Sequence, residues 1–135
     1  MIVLDEAEKL IYDILSNDTA LKLILGSSKV SRKIKPQNSK IAEVVVIGIA
    51  GGERDFAMQN FIINVNIHNP FMNSPNGVII NNDLQTKIAK RIISLLKGYY
   101  GSNFNTWVID NDNDTTANES IATIKIQLKY ISNAN

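Results

Sequence analysis

One stretch of this chain leaves little freedom in how it folds: Phe61-Ile62-Ile63-Asn64-Val65-Asn66-Ile67-His68. Phe61, Ile63, Val65 and Ile67 are apolar, while Asn64, Asn66 and His68 alternate with them, and only Ile62 departs from the polar set. Successive side chains on a strand point to opposite faces, so a period of two marks a β-strand with one face on a core and one in water. A second run near the end repeats the pattern, with Ala122, Ile124, Ile126, Leu128 and Tyr130 alternating with Thr123, Lys125, Gln127 and Lys129. The wet side of that strand carries lysines, so one sheet face is left for solvent or for another chain.

The apolar face needs a cover, and three segments have the spacing to provide it. Leu4, Ala7, Leu10, Ile11, Ile14 and Leu15 predict an amphipathic helix over about 3–16, with Asp5, Glu6 and Glu8 near the positive end of its dipole. Asp18 is placed to cap a short helix over 19–25 that stops at Gly26. The main helix spans about 82–97, capped by Asn82 or Asp83, with Leu84, Ile88, Ile92, Leu95 and Leu96 as its apolar stripe. At 1.5 Å per residue it is about 24 Å long, enough to cross a small sheet.

Further strands are predicted over about 29–35, 41–50, 56–68, 104–110 and 120–131. Ile41–Ala50 is almost wholly apolar and β-branched, as in a strand buried on both sides or paired with another subunit. Gly51–Asp55 reads as the turn of a long hairpin, Pro36–Ser39 as a second turn, and Asn69–Gly77 as a loop broken by two prolines and an Asn-Gly pair. The expected fold is therefore α+β: one antiparallel or mixed sheet of four to five strands, with an N-terminal helix pair and one long helix on a single face. At 135 residues this is one domain, with a core that needs no metal or disulfide.

Composition narrows the function classes. There is no cysteine, so no disulfide framework or thiolate metal site is expected. A net charge of +1 gives no global bias toward nucleic acid or membrane. The first residues lack the basic start and long apolar run of a signal peptide, and no apolar run approaches the roughly 20 residues of a membrane span.

Candidate sites are few. Between Lys22 and Lys40 every charge is positive, and Lys29, Arg32, Lys33 and Lys35 could meet phosphates or an acidic partner, or else guard a solvated edge strand. Phe71 and Met72 are large apolar groups on the predicted loop. They are expected to fold back onto the core, with partner anchoring as the alternative. Asp110-Asn111-Asp112-Asn113-Asp114 opens like a calcium loop, but Thr115 replaces the required Gly and Ile121 the bidentate Glu, so an acidic hairpin loop is expected. His68, the only histidine, is expected to be a hydrogen-bonded strand-end residue, and no serine sits in a nucleophile motif. No catalytic, cofactor or metal residues are assigned, and an enzyme is not expected.

The order of helix, short helix, basic extended segment, long hairpin, long helix and hairpin resembles the tail-completion and tail-terminator proteins of tailed bacteriophages. The residues that carry the likeness are LIYDILSNDTALKLILG (10–26), VVVIGIAGG (44–52) with FIINVNIH (61–68), and DLQTKIAKRIISLLKG (83–98). The resemblance implies a virion protein that forms a homomeric ring of six or twelve copies at the head–tail junction. Its implied neighbours are the portal-side connector and tail proteins, with DNA passing through the channel unread and no membrane or cofactor involved. Lys29, Arg32, Lys33, Lys35, Phe71 and Met72 would then be interface residues. The residues alone leave two other readings open, a nucleic-acid-binding module using Lys29–Lys40 and a small α+β ligand-binding or enzyme domain.

Overall fold

The structure, a computed structural model, describes residues 1–35 and 41–131. Its elements are α1 (Leu4–Ser16), α2 (Thr19–Leu25), β1 (Val30–Arg32), β2 (Glu43–Asp55), β3 (Met58–Pro70), β4 (Met72–Ser74), β5 (Gly77–Ile79), α3 (Asn82–Leu96), β6 (Tyr99–Tyr100), β7 (Phe104–Thr115) and β8 (Glu119–Ile131). Six strands form a curled mixed sheet in the order β1-β2-β3-β8-β7-β6, and β4 and β5 form a separate hairpin. β3 does lie inside the sheet, antiparallel to β2 and to β8.

Alternation in β3 works as a sorting device. Phe61, Ile63, Val65 and Ile67 are fully buried, with Ala122, Ile124, Ile126 and Leu128 of β8 beside them. The helices cover this face through Ala7, Ile11 and Leu15 of α1, Leu21 of α2, and Ile88, Ile92 and Leu96 of α3. Each of these valine, leucine, isoleucine and phenylalanine side chains contributes about 1.5–3 kcal/mol by leaving water, so this layer holds the domain together. Asn64, Asn66, His68, Thr123, Lys125 and Gln127 point to the opposite face, away from the described helices.

Polar contacts fix the helices over the sheet. Asp18 caps α2 by accepting from the Leu21 N–H at 2.9 Å. The same carboxylate takes two bonds from Arg91 of α3, Nε to Oδ2 at 2.8 Å and Nη2 to Oδ1 at 2.7 Å. Asp18 thus starts one helix and ties it to another, and the Arg91 guanidinium holds its carboxyl below the usual carboxylate range. α3 is capped by Asn81, whose Oδ1 accepts from the Leu84 N–H, rather than by the predicted Asn82 or Asp83 one and two positions later.

Several expectations need correction. The sheet has six strands rather than four to five, and it is mixed because β1 runs parallel to β2. The strand predicted over 29–35 is only Val30–Arg32, since Lys33 turns the chain with φ of +70°. The hairpin does not turn at Gly51–Asp55. β2 continues through both glycines to Asp55 and the turn falls at Phe56-Ala57, because two register shifts absorb the extra residues. In place of a loop over 69–77, the chain forms the end of β3, β4 and the start of β5, with Gly77 at φ of +122°. β7 does not stop at 110; it runs on to Thr115, paired throughout with β8. The turn expected at Pro36–Ser39 lies outside the described residues.

Candidate functional site

The basic segment is where sequence places a partner surface, and the fold supplies its counter-charges internally. Glu8 sits on the core side of α1 and is only 2% exposed. Its Oε1 accepts from Arg32 Nε at 2.8 Å and Lys33 Nζ at 2.9 Å, and its Oε2 from Lys33 Nζ at 3.0 Å. Oε2 also accepts from the Gly48 N–H at 2.9 Å. That N–H lies at the register shift between Gly48 and Ala50, on the strand edge just past the reach of β1. Glu8 therefore does two jobs, neutralising the basic strand and closing an opened strand edge. Burial works against its charge, but the Gly48 N–H and the two cations outweigh it, and its carboxyl is held below the ordinary value.

One turn earlier on α1, Asp5 completes the cluster. Its Oδ1 accepts from Lys33 Nζ at 2.6 Å and Arg32 Nη2 at 3.0 Å, and its backbone carbonyl from Arg32 Nη2 at 2.9 Å. Lys33 reaches both carboxylates from its left-handed backbone conformation. Nothing local in the sequence signals this pairing. Asp5 and Glu8 read as ordinary first-turn acids, and only the docking of α1 beside β1 brings them to the cations.

Lys35 lies elsewhere, against the helix-free face. Its Nζ donates to Glu119 Oε2 at 2.9 Å, and His68 Nδ1 lies 3.1 Å from Glu119 Oε1. Burial disfavours the charge on Glu119, yet the hydrogen bonds from Lys35 and His68 prevail and hold its carboxyl below the usual value. His68 is hydrogen-bonded as expected, and β3 runs two residues past it to Pro70. Lys29 is exposed at the start of the basic segment, on the rim of an apolar groove of about 440 Å³ lined by Tyr12, Leu15, Leu25 and Val30. The structure thus separates the four basic candidates into three places, three of them already ion-paired.

Phe71 and Met72 stay together but do not join the core. Phe71 is half-buried, its N–H bonded to the Asn118 carbonyl at 3.1 Å. Met72 is 47% exposed and shares its hairpin with Val78 and Ile79, exposed by 60% and 50%. The expectation that this pair folds back onto the core is therefore not met. β4 and β5 pair only with each other, and that short ladder lifts their side chains off the main layer.

The aspartates of 110–114 form no calcium loop. In a strand, alternate residues stand about 7 Å apart along one face, so Asp110, Asp112 and Asp114 line up instead of converging. Among the described residues no group of three acidic or histidine side chains is arranged to hold a metal ion. Sequence reasoning missed the edge that these residues make: β6 pairs β7 only at Asn105 and Thr106, so among the described residues no strand covers the outer side of β7 beyond them. Trp107 stands at the start of that edge, 52% exposed. The register with β8 that defines the edge was hidden by the weak strand preference of Asn and Asp.

No helix of the described residues is long and apolar enough to cross a membrane. Comparison with protein-family models and with curated proteins gives no match for this chain.

Proposed function

We propose that this chain is a structural subunit of a homomeric ring at the head–tail junction of a tailed bacteriophage, joining connector and tail around the DNA channel. The observation that carries this reading is the order of elements, α1-α2-β1-β2-β3-β4-β5-α3-β6-β7-β8, laid out as a six-stranded sheet with the described helices packed on its apolar face and β4–β5 as a separate hairpin. A head-to-tail contact repeated by rotation closes a ring, and such a subunit needs two different free surfaces rather than one self-complementary patch. The helix-free sheet face and the β4–β5 hairpin are two different surfaces, and Met72, Val78 and Ile79 of the hairpin offer apolar contact to a neighbouring subunit. The role is that of scaffold and seal in the virion, without catalysis or cofactor.

The rival reading, a nucleic-acid module built on the basic segment, is weakened by the internal pairing of Arg32, Lys33 and Lys35 with Asp5, Glu8 and Glu119. Cations committed to carboxylates release few counterions from a phosphate backbone. Mass photometry and negative-stain microscopy of the purified chain separate the two. Closed rings of six or twelve copies are expected, with little DNA affinity. A protein that stays monomeric at high concentration and binds DNA with an affinity falling steeply in salt would overturn the proposal.

A further inference from the structure

The two long outer edges of the sheet are treated differently. On the β2 side, β1 covers Val44–Val46, the Lys33 N–H takes the Val46 carbonyl at 2.9 Å, and Glu8 takes the Gly48 N–H. Two register shifts then distort what remains of β2. These are the usual means by which a protein stops foreign strands from adding to an edge. On the other side, β7 has a single register shift between Val108 and Asp110 and is regular from Asp110 to Thr115. Among the described residues no strand pairs with its outer side there.

The side chains of this open edge specify what would fit it. Asp110, Asp112 and Asp114 share the helix-free face with their cross-strand neighbours Lys125, Thr123 and Ile121. Lys125 stands opposite Asp110, but no described cation lies within ion-pair distance of Asp112 or Asp114, which accept only the N–H groups of Asn113 and Thr115. On the other face, Asn111, Asn113 and Thr115 border a groove of about 430 Å³ whose α3 wall is mixed, with Gln85, Thr86 and Lys90 beside Ala89 and Ile93. A strand laid along β7 would present one set of alternate side chains to the aspartates and the other set to this groove.

We propose that the outer edge of β7, Asp110–Thr115, accepts an extended segment of another protein by strand addition. That segment carries Lys or Arg at the alternate positions facing Asp112 and Asp114, and uncharged side chains at those facing the α3 groove, where Lys90 disfavours a second cation. Main-chain hydrogen bonds supply the attachment, and the alternation of side chains supplies the selection. A second copy of this chain is a poor occupant. Antiparallel self-pairing of β7 sets aspartate against aspartate, and like charges directly opposite are destabilising. The proposal stands independently of the ring, since it concerns an edge that one subunit already displays.

The test uses the whole chain and a heptapeptide alternating lysine and valine, titrated by Trp107 fluorescence and by amide hydrogen exchange. The expected result is saturable binding with slowed exchange at alternate amides of 110–115. Asp112→Asn with Asp114→Asn should weaken it at least ten-fold while the circular dichroism spectrum is unchanged. Methylating the peptide nitrogens on one alternate set should abolish binding, and methylating the other set should not. A glutamate–valine peptide binding equally well would overturn the proposal. So would binding without protection at 110–115, no binding at all, or protection of these amides by self-association of the chain alone.

Discussion

Glu8 is the residue on which most local structure converges. It is buried, it carries two cations, and it satisfies the N–H exposed where β2 shifts register. Its removal leaves Gly48 N–H unsatisfied and takes away one of the two carboxylates that tie α1 to Arg32 and Lys33, each a loss of the kind that costs about 1–3 kcal/mol. Glu8→Ala is therefore expected to lower unfolding stability by about 3 kcal/mol in urea titration, less than a fully buried pair would cost because the Arg32 and Lys33 side chains remain partly in water. Glu6→Ala is the control. Glu6 is exposed and accepts only from the Val3 N–H at 3.1 Å, so its loss should be much smaller. Equal effects from the two substitutions would show that Glu8 is merely another first-turn acid.

At the level of elements, the long hairpin of β2 and β3 depends on glycine in a way that can be measured. Gly51 has φ of +120°, and a Cβ there would lie 2.2 Å from the Asn60 carbonyl oxygen and 2.6 Å from Phe61 Cα. Those atoms belong to the paired strand and cannot move without breaking the register. Gly77, in the β4–β5 hairpin, has nearly the same φ of +122° but nothing within 4 Å of the Cβ position. Gly77→Ala should cost about 1 kcal/mol from backbone strain alone, while Gly51→Ala adds a collision and should cost more than about 3 kcal/mol. Thermal unfolding of the two variants distinguishes them, and equal losses would mean that β2 does not pass Gly51 in strand conformation. The same hairpin marks the limit of what periodicity reveals. Helices over 3–16, 19–25 and 82–97 and the strands through Phe61–His68 and Ala122–Tyr130 were legible, because their apolar spacing is set by burial. Gly51-Gly52 and Asp110–Asp114 looked like breaks because glycine and aspartate disfavour strands in isolation. In the fold the partner strand overrides that preference, and a partner seven to fifteen residues away leaves no trace in local composition. For the same reason Arg32, Lys33 and Lys35 could be identified as a basic segment, but not as cations already answered by Asp5, Glu8 and Glu119.

Across the whole molecule, long-range ion pairs link the layers at separate places. Asp5 and Glu8 bind α1 to β1, Asp18 binds the start of α2 to α3, and Glu119 holds Lys35 against the helix-free face. In every case the acid is a carboxylate whose folded-state value is lowered, from 3.8 for Asp5 and Asp18 and from 4.5 for Glu8 and Glu119. A depressed carboxylate binds fewer protons in the folded state than in the unfolded one, so it stabilises the fold fully above its unfolded value. As pH falls through about 4.5 and then 3.8, the unfolded chain gains protons first, and the contribution drains away until the folded carboxylates are protonated too. The melting temperature should therefore change little between pH 7 and pH 5.5 and fall steeply below about pH 4.5. Because these links join different pairs of elements, they should fail together in one cooperative transition, not as the fraying of a single helix. Glu8→Gln tests the assignment. It removes one titrating group while keeping an oxygen for the Gly48 N–H, so it should lower stability at pH 7 yet flatten the acid slope. An acid slope identical to that of the unaltered chain would place the proton-sensitive step away from the α1–β1 cluster.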